Sequence, residues 1–254
     1  GQVLAQAAGR FELASSEEGS RISGITAHAA ASVRIIEDGA VRAVVETVLT
    51  YGRSVLFQRY MLPRKGTEIE VEIRLHWCEK DKMLKLSIPT LFSKARYVGQ
   101  TAYGVADLPA DGNEAVAQKW VSAVSAEDGA ALTVINDCIY GSDFLGGELR
   151  LSLLRSAAYS ADPVPSGPMV AQDRYVPRID QGERIFRFWL NGGDLSSRLT
   201  AVDREALARN EKPFVLSFFP AGRGKKPQPF IQLSDEAVEI ATVKKAEDGG
   251  NLII

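Results

Sequence analysis

An all-β fold of packed antiparallel sheets, with one short helix, is what three features of the sequence predict. Apolar and polar residues alternate with period two through the first hundred positions, as in strands with one dry face. Turn pairs recur at short intervals afterwards: Asp111-Gly112, Asp128-Gly129, Gly146-Gly147, Asn191-Gly192 and Asp248-Gly249. The chain has 254 residues, 45% of them hydrophobic, enough for a large β unit with a buried core.

Taken in order, Ser32–Ile36 and Val41–Tyr51 form a predicted hairpin. It turns through Asp38-Gly39, where glycine supplies the positive φ of a tight turn. A strand over 54–62 follows. In the next, Ile69, Val71, Ile73, Leu75 and Trp77 share one face, while Glu68, Glu70, Glu72, Arg74 and His76 share the other. After a polar turn at Glu79, Lys80 and Asp81, the pattern returns with Leu84, Leu86 and Ile88, and with Lys85 and Ser87 opposite. Further strands are predicted around 118–125, 131–136, 148–154, 183–190, 214–219, 229–233 and 237–245. A connecting helix is predicted from Thr200 to Arg209, where Ala201, Ala206, Leu207 and Ala208 are good helix formers. Residues 156–182 carry Pro163, Pro165, Pro168 and Pro177 with little periodicity, and are expected to form a long ordered loop rather than a linker. The organisation expected is a main β-sandwich region over 1–182. Strands of the same or a small adjoining β domain would continue over 183–254.

Composition closes several functional classes. Thirty basic against thirty-two acidic residues leave a net charge of -2, so no broad footprint for nucleic acid or lipid is expected. No apolar run approaches the roughly 20 residues that span a bilayer. Cys78 and Cys138 make neither a disulfide framework nor a zinc ribbon, and each is expected to be structural. His28 and His76 leave little scope for histidine-based metal chemistry, and His76 falls on the polar face of its strand. No Gly-x-Ser-x-Gly elbow is present. The run Gly222-Arg223-Gly224-Lys225-Lys226 lacks the spacing and the Ser/Thr of a phosphate loop, so a solvated basic turn is expected. Glu79 and Asp81 are expected to be turn residues rather than a glycosidase pair.

Leu132–Arg155 is the informative segment. An apolar strand delivers Asn136, Asp137 and Tyr140 into a glycine-flanked loop, and a returning strand carries Arg150 and Arg155. Amide, carboxylate and guanidinium groups at strand ends can bind the hydroxyls of a sugar, with tyrosine adding a flat face. Equally, Asn136 and Asp137 can cap a turn by side-chain to backbone bonds.

The run INDCIYGSDF, followed by GELRLSLLRSAAYSADPVP, resembles the C-terminal β domain of the glycoside hydrolase family 38 α-mannosidases. Members carry a similar Asn-Asp-Cys-Lys-Tyr-Gly-Tyr run, then Leu-Arg-Leu-Ser-Leu-Leu-Arg and a proline-rich Asp-Pro segment. WCEKDKMLKLSIP (77–89), AQKWV (117–121), DQG (180–182) and KKAEDG (244–249) match in the same order, so the resemblance covers most of the chain. Departures are Leu108 where many relatives have arginine, Arg184 where they have histidine, Ile139 for lysine and Ser142 for tyrosine.

The resemblance implies a galactose mutarotase-like antiparallel supersandwich. It also implies a parent enzyme that is a retaining exo-α-mannosidase, using an aspartate nucleophile, a second carboxylate and a zinc ion. Those groups lie in an N-terminal catalytic domain that nothing in this sequence matches. The expectation is therefore a supporting fragment, inactive alone, with no catalytic residue or metal of its own. Its partners would be that catalytic domain and the α-mannoside substrate, with a homo-oligomer and a cytoplasmic location also expected. By motif position, Asn136, Asp137, Tyr140 and Arg155 are the implied substrate-rim residues. Asn251–Ile254, an apolar strand start without a polar tail, fits a piece of a longer chain better than a free-standing carbohydrate-binding or interaction module.

Overall fold

A computed structural model describes residues 2–6, 9–10, 12–13, 33–92, 94–158, 177–212, 214, 224, 228–235, 238 and 240–254. Two compact units divide the chain, Gly1–Lys212 and Pro213–Ile254. The first contains all the strands discussed below except a two-residue pair.

The strands are β1 (Gln2–Gln6), β2 (Gly9–Arg10), β3 (Glu12–Leu13), β4 (Val33–Asp38), β5 (Arg42–Tyr51) and β6 (Ser54–Pro63). Then come β7 (Ile69–Trp77), β8 (Met83–Pro89), β9 (Arg96–Thr101), β10 (Gly104–Asp107), β11 (Ala115–Val116) and β12 (Trp120–Ser125). The unit closes with β13 (Ala130–Asn136), β14 (Gly141–Leu145), β15 (Glu148–Arg155), β16 (Gly182–Asp194) and the helix α1 (Leu195–Asn210). In the second unit, β17 (Lys244–Lys245) pairs with β18 (Leu252–Ile253).

All of these pairings are antiparallel. One sheet runs β11-β14-β15-β8-β1-β2, and a ten-stranded sheet runs β10-β9-β12-β13-β16-β7-β6-β5-β3, with β4 also paired to β5. Their facing sides share one core. Leu56, Val71, Ile73, Leu75, Trp77, Phe186 and Phe188 from the large sheet pack with Leu84, Leu86, Phe144, Leu149 and Leu151 from the small one. Each such side chain contributes about 1.5–3 kcal/mol when removed from water. The period-two pattern of β7 puts the alternation seen in the sequence to use: its odd residues fill this core. Verdict and expectation agree: the unit is an antiparallel β-sandwich.

A second, smaller core lies on the outer side of the large sheet. There Val202 and Ala206 of α1 pack on Val98, Trp120, Val124, Ala131, Ile135 and Trp189. The helix is longer than the predicted Thr200–Arg209 because Asp194 caps it, its carboxylate accepting from Ser197 N at 2.9 Å.

Other local expectations fail for physical reasons. Asp38 pairs with Ala43, so the β4–β5 connection is a wider loop, and Gly39 has no need of positive φ. Asn191-Gly192 does not turn: β16 runs straight through to Asp194. The glycines there make room for the helix instead, since a Cβ on Gly193 would sit 3.3 Å from Arg198 Cδ. The polar side of β8 is not wet, because Lys85 and Ser87 are both buried beside charged partners. No strand forms at 229–233, and among the described residues of 237–245 only Lys244–Lys245 are in a strand. Beyond Phe214, the predicted 214–219 strand and most of the proline-rich loop lie outside the described residues.

Candidate functional site

Strand register builds a ladder of alternating charge across the outer side of the large sheet. Arg34 (β4), Glu46 (β5), Arg59 (β6), Glu72 (β7) and Arg187 (β16) are directly opposed in successive pairs. Opposite charges facing across strands attract, whereas like charges would repel. Arg34 Nη2 donates to Glu46 Oε1 at 2.6 Å, and Arg59 Nε donates to Glu46 Oε2 at 2.8 Å. Arg59 Nη1 reaches Glu72 Oε1 at 3.4 Å, and Arg187 Nη2 donates to Glu72 Oε2 at 3.0 Å. Glu46 is only 2% exposed. Burial pushes its carboxyl pKa up, but the Arg59 and Arg34 guanidiniums outweigh that and hold it below the usual carboxylate value.

Three members of the ladder, Arg59, Glu72 and Arg187, line a cleft of about 470 Å³, to which Glu70, Asp137, Trp189, Arg209 and Lys212 contribute walls. Arg209 lies 5.3 Å from the centre of the Trp189 ring, a cation–π contact, and also pairs with Glu68. Sequence reasoning did not single out this ladder. Its members are spread from 34 to 187, and only register brings them together.

The four motif residues part company. Asn136 ends β13, 3% exposed. Its Nδ2 donates to Gln118 O at 2.7 Å and its Oδ1 accepts from Ile139 N at 3.2 Å, so its side chain is spent on holding the turn. Asp137 lines the cleft, with its backbone N donating to Arg187 O at 3.2 Å. Cys138 follows with φ 62 and is exposed. Tyr140, half exposed, opens instead on a second hollow of about 590 Å³ with Val116 and Lys119. Its phenol pKa is raised, first by a hydrogen bond with Cys138. Arg155 ends β15 in the other sheet. Its side chain is exposed, and its backbone N donates to Asp180 Oδ2 at 3.4 Å. The structure thus places Asp137 and Tyr140 on different hollows, with Arg155 lining neither.

Comparison with known proteins settles the family. The profile "Glycosyl hydrolases family 38 C-terminal domain" matches residues 12–166, more than half of the chain. The chain belongs to this family. It is 27% identical over 240 residues to Alpha-mannosidase G of Dictyostelium discoideum, covering 87% of this chain and 20% of that protein. It is 27% identical over 207 residues to human Alpha-mannosidase 2C1, covering 76% of this chain and 18% of that protein. Among solved structures, an α-mannosidase from Enterococcus faecalis V583 superposes with a TM-score of 0.58 at 14% identity, covering 70% of this chain and 24% of that one. The chain thus spans about a fifth of the curated relatives it matches. As a family 38 C-terminal domain, it is similar to part of proteins named as α-mannosidases.

Proposed function

We propose that this chain is the C-terminal β-sandwich region of a retaining, zinc-dependent α-mannosidase that hydrolyses terminal α-mannosides. The observation that carries this reading is the family match combined with the small share of each relative that the chain spans. Catalytic carboxylates and zinc belong, on this reading, to the N-terminal catalytic domain of the parent. The residues here do not suit a metal: among the described residues, no three His, Cys, Asp or Glu cluster so as to hold one. The chain's part is to support the catalytic domain and to lend rim contacts to the substrate.

Arg155, outside both hollows, is a motif residue available for such a contact. Its guanidinium is exposed and makes no ion pair among the described residues, so it is free to meet a sugar hydroxyl or a carboxylate of another domain. Asn136 supports the rim indirectly by fixing the turn that presents Asp137.

The test assays aryl α-mannoside hydrolysis by this chain and by the full-length gene product, each with and without a chelator. Chelator-sensitive activity in the full-length protein alone supports the reading. Activity in this chain alone refutes the division of labour, and an inactive full-length protein refutes the mannosidase itself. In the full-length enzyme, Arg155→Ala is expected to lower kcat/KM without lowering the unfolding midpoint. Unchanged kinetics would remove Arg155 from the rim.

A further inference from the structure

The charged cleft is not closed at one end. A second hollow of about 480 Å³ shares Arg42, Met61, Glu70 and Arg209 with it and continues past Lys65 and Thr67. Together they make one groove with two lobes across the outer side of the large sheet, each lobe in the size range of small-ligand sites. Most charges in it are mutually satisfied: Arg42 with Glu37, Arg59 with Glu46 and Glu72, Arg187 with Glu72, Arg209 with Glu68. Four groups are left over. Glu70, Asp137, Lys65 and Lys212 make no side-chain hydrogen bond or ion pair among the described residues.

That remainder selects a class of ligand. The two unspent carboxylates and two unspent ammonium groups carry no net charge, so they favour neither an anion such as a phosphorylated sugar nor a cation. A floor of guanidinium and carboxylate groups disfavours an apolar molecule, which would strip water from them without replacing its hydrogen bonds. A neutral polyol suits both kinds of group, because each hydroxyl donates to a carboxylate and accepts from an ammonium or guanidinium. Two lobes joined at Glu70 fit more than one ring.

We infer that this groove binds a neutral oligosaccharide, with Asp137 and Glu70 accepting from its hydroxyls and Lys212 donating to them. The choice of mannose as the sugar rests on the α-mannosidase reading above, and the groove chemistry does not. Binding here needs no catalytic domain, so this chain itself is the reagent.

The experiment is a ¹H–¹⁵N titration of the chain with methyl α-mannoside and with linear α-mannotriose. The chain has three tryptophans, and Trp120 Nε1 donates to Asp203 at 2.6 Å, which sets its indole signal apart. The Trp189 indole signal, identified as the one missing in Trp189→Phe, reports on the groove wall. Expected is a saturable shift of that signal through millimolar sugar, with mannotriose binding more tightly than the monosaccharide. The double variant Glu70→Gln with Asp137→Asn should weaken binding about tenfold or more while the remaining backbone signals keep their positions.

A shift that is absent, or equal in the double variant, overturns the site. Equal affinity for both sugars overturns the two-lobed groove, and a response to oligolysine but not to sugar overturns the ligand class. The two readings fail separately. A full-length protein that hydrolyses mannosides while this chain ignores them leaves the enzyme and removes the groove. Sugar binding here with no hydrolysis by the full-length protein does the reverse.

Discussion

Asp143→Asn is expected to be among the most damaging conservative changes in the molecule. Asp143 on β14 is fully buried, and Lys85 on β8, 3% exposed, donates to it. Arg150 on β15 donates to its other oxygen from Nε at 2.5 Å, and Lys85 also reaches Glu114. Two cations and two carboxylates thus balance. The asparagine keeps the volume, so no cavity arises, but it leaves Lys85 with Glu114 alone and Arg150 with no carboxylate at all. Removing one partner of a buried pair costs about 3–5 kcal/mol, because the other charge stays behind unsolvated. At about 2–4 °C per kcal/mol for a unit of this size, the midpoint should fall on the order of 10 °C. Tryptophan fluorescence in urea follows the change, since Trp77, Trp120 and Trp189 all lie in the first unit. In a Lys85→Met background the same substitution should cost at least about 1 kcal/mol less. A loss under about 1 kcal/mol for Asp143→Asn, or simple additivity with Lys85→Met, would refute the buried-pair account.

Three further outcomes are expected. The folded pKa of Glu46 lies below its ordinary 4.5, so its contribution to stability is full above that value and fades as pH falls through the lower folded one. Acid titration of the unfolding midpoint should therefore show a shallower fall below pH 4.5 in Glu46→Gln than in the parent chain. Gly99→Ala should cost roughly 1–3 kcal/mol in urea unfolding, because the added Cβ would meet Leu108 Cδ1 at 2.7 Å and Ala117 Cβ at 2.9 Å. Leu108 can swing aside but Ala117 cannot; an unchanged midpoint would mean that β9 shifts freely. Asn136→Asp sets a carboxylate oxygen against Gln118 O where an amide now donates at 2.7 Å, and should cost about 1–3 kcal/mol at neutral pH, with recovery as the acid protonates. A pH-independent loss would rule out that repulsion.

How much of this was legible in the sequence depends on the range of the physics involved. Strand β7 was visible because its five apolar residues obey a local period of two. Helix α1 was visible in its middle but not at its start, since a cap is one side chain, Asp194, and asparagine-glycine just before it mimicked a turn. Lys85 and Ser87 were misjudged because alternation shows which residues share a face, not whether that face is wet. Their burial depends on Glu114, Asp143, Arg150 and Glu148, which come from other strands. The motif run was legible as chemistry, yet its residues could not be assigned to hollows without knowing that the chain crosses from one sheet to the other between Asn136 and Gly141.

That crossing explains why one short run looks functional as a block and acts in parts. An asparagine can donate and accept at once, so Asn136 ties the end of β13 to Gln118 and Ile139 and has no atom left for a ligand. An aspartate only accepts, and no donor among the described side chains meets Asp137, so its carboxylate remains available in the cleft. Exchanging the two identities would spoil both positions: an aspartate in the turn faces a carbonyl, and an asparagine in the cleft loses charge beside Arg187. The order Asn-Asp is therefore set by the geometry of the crossing, with the first residue building the turn and the second presented by it.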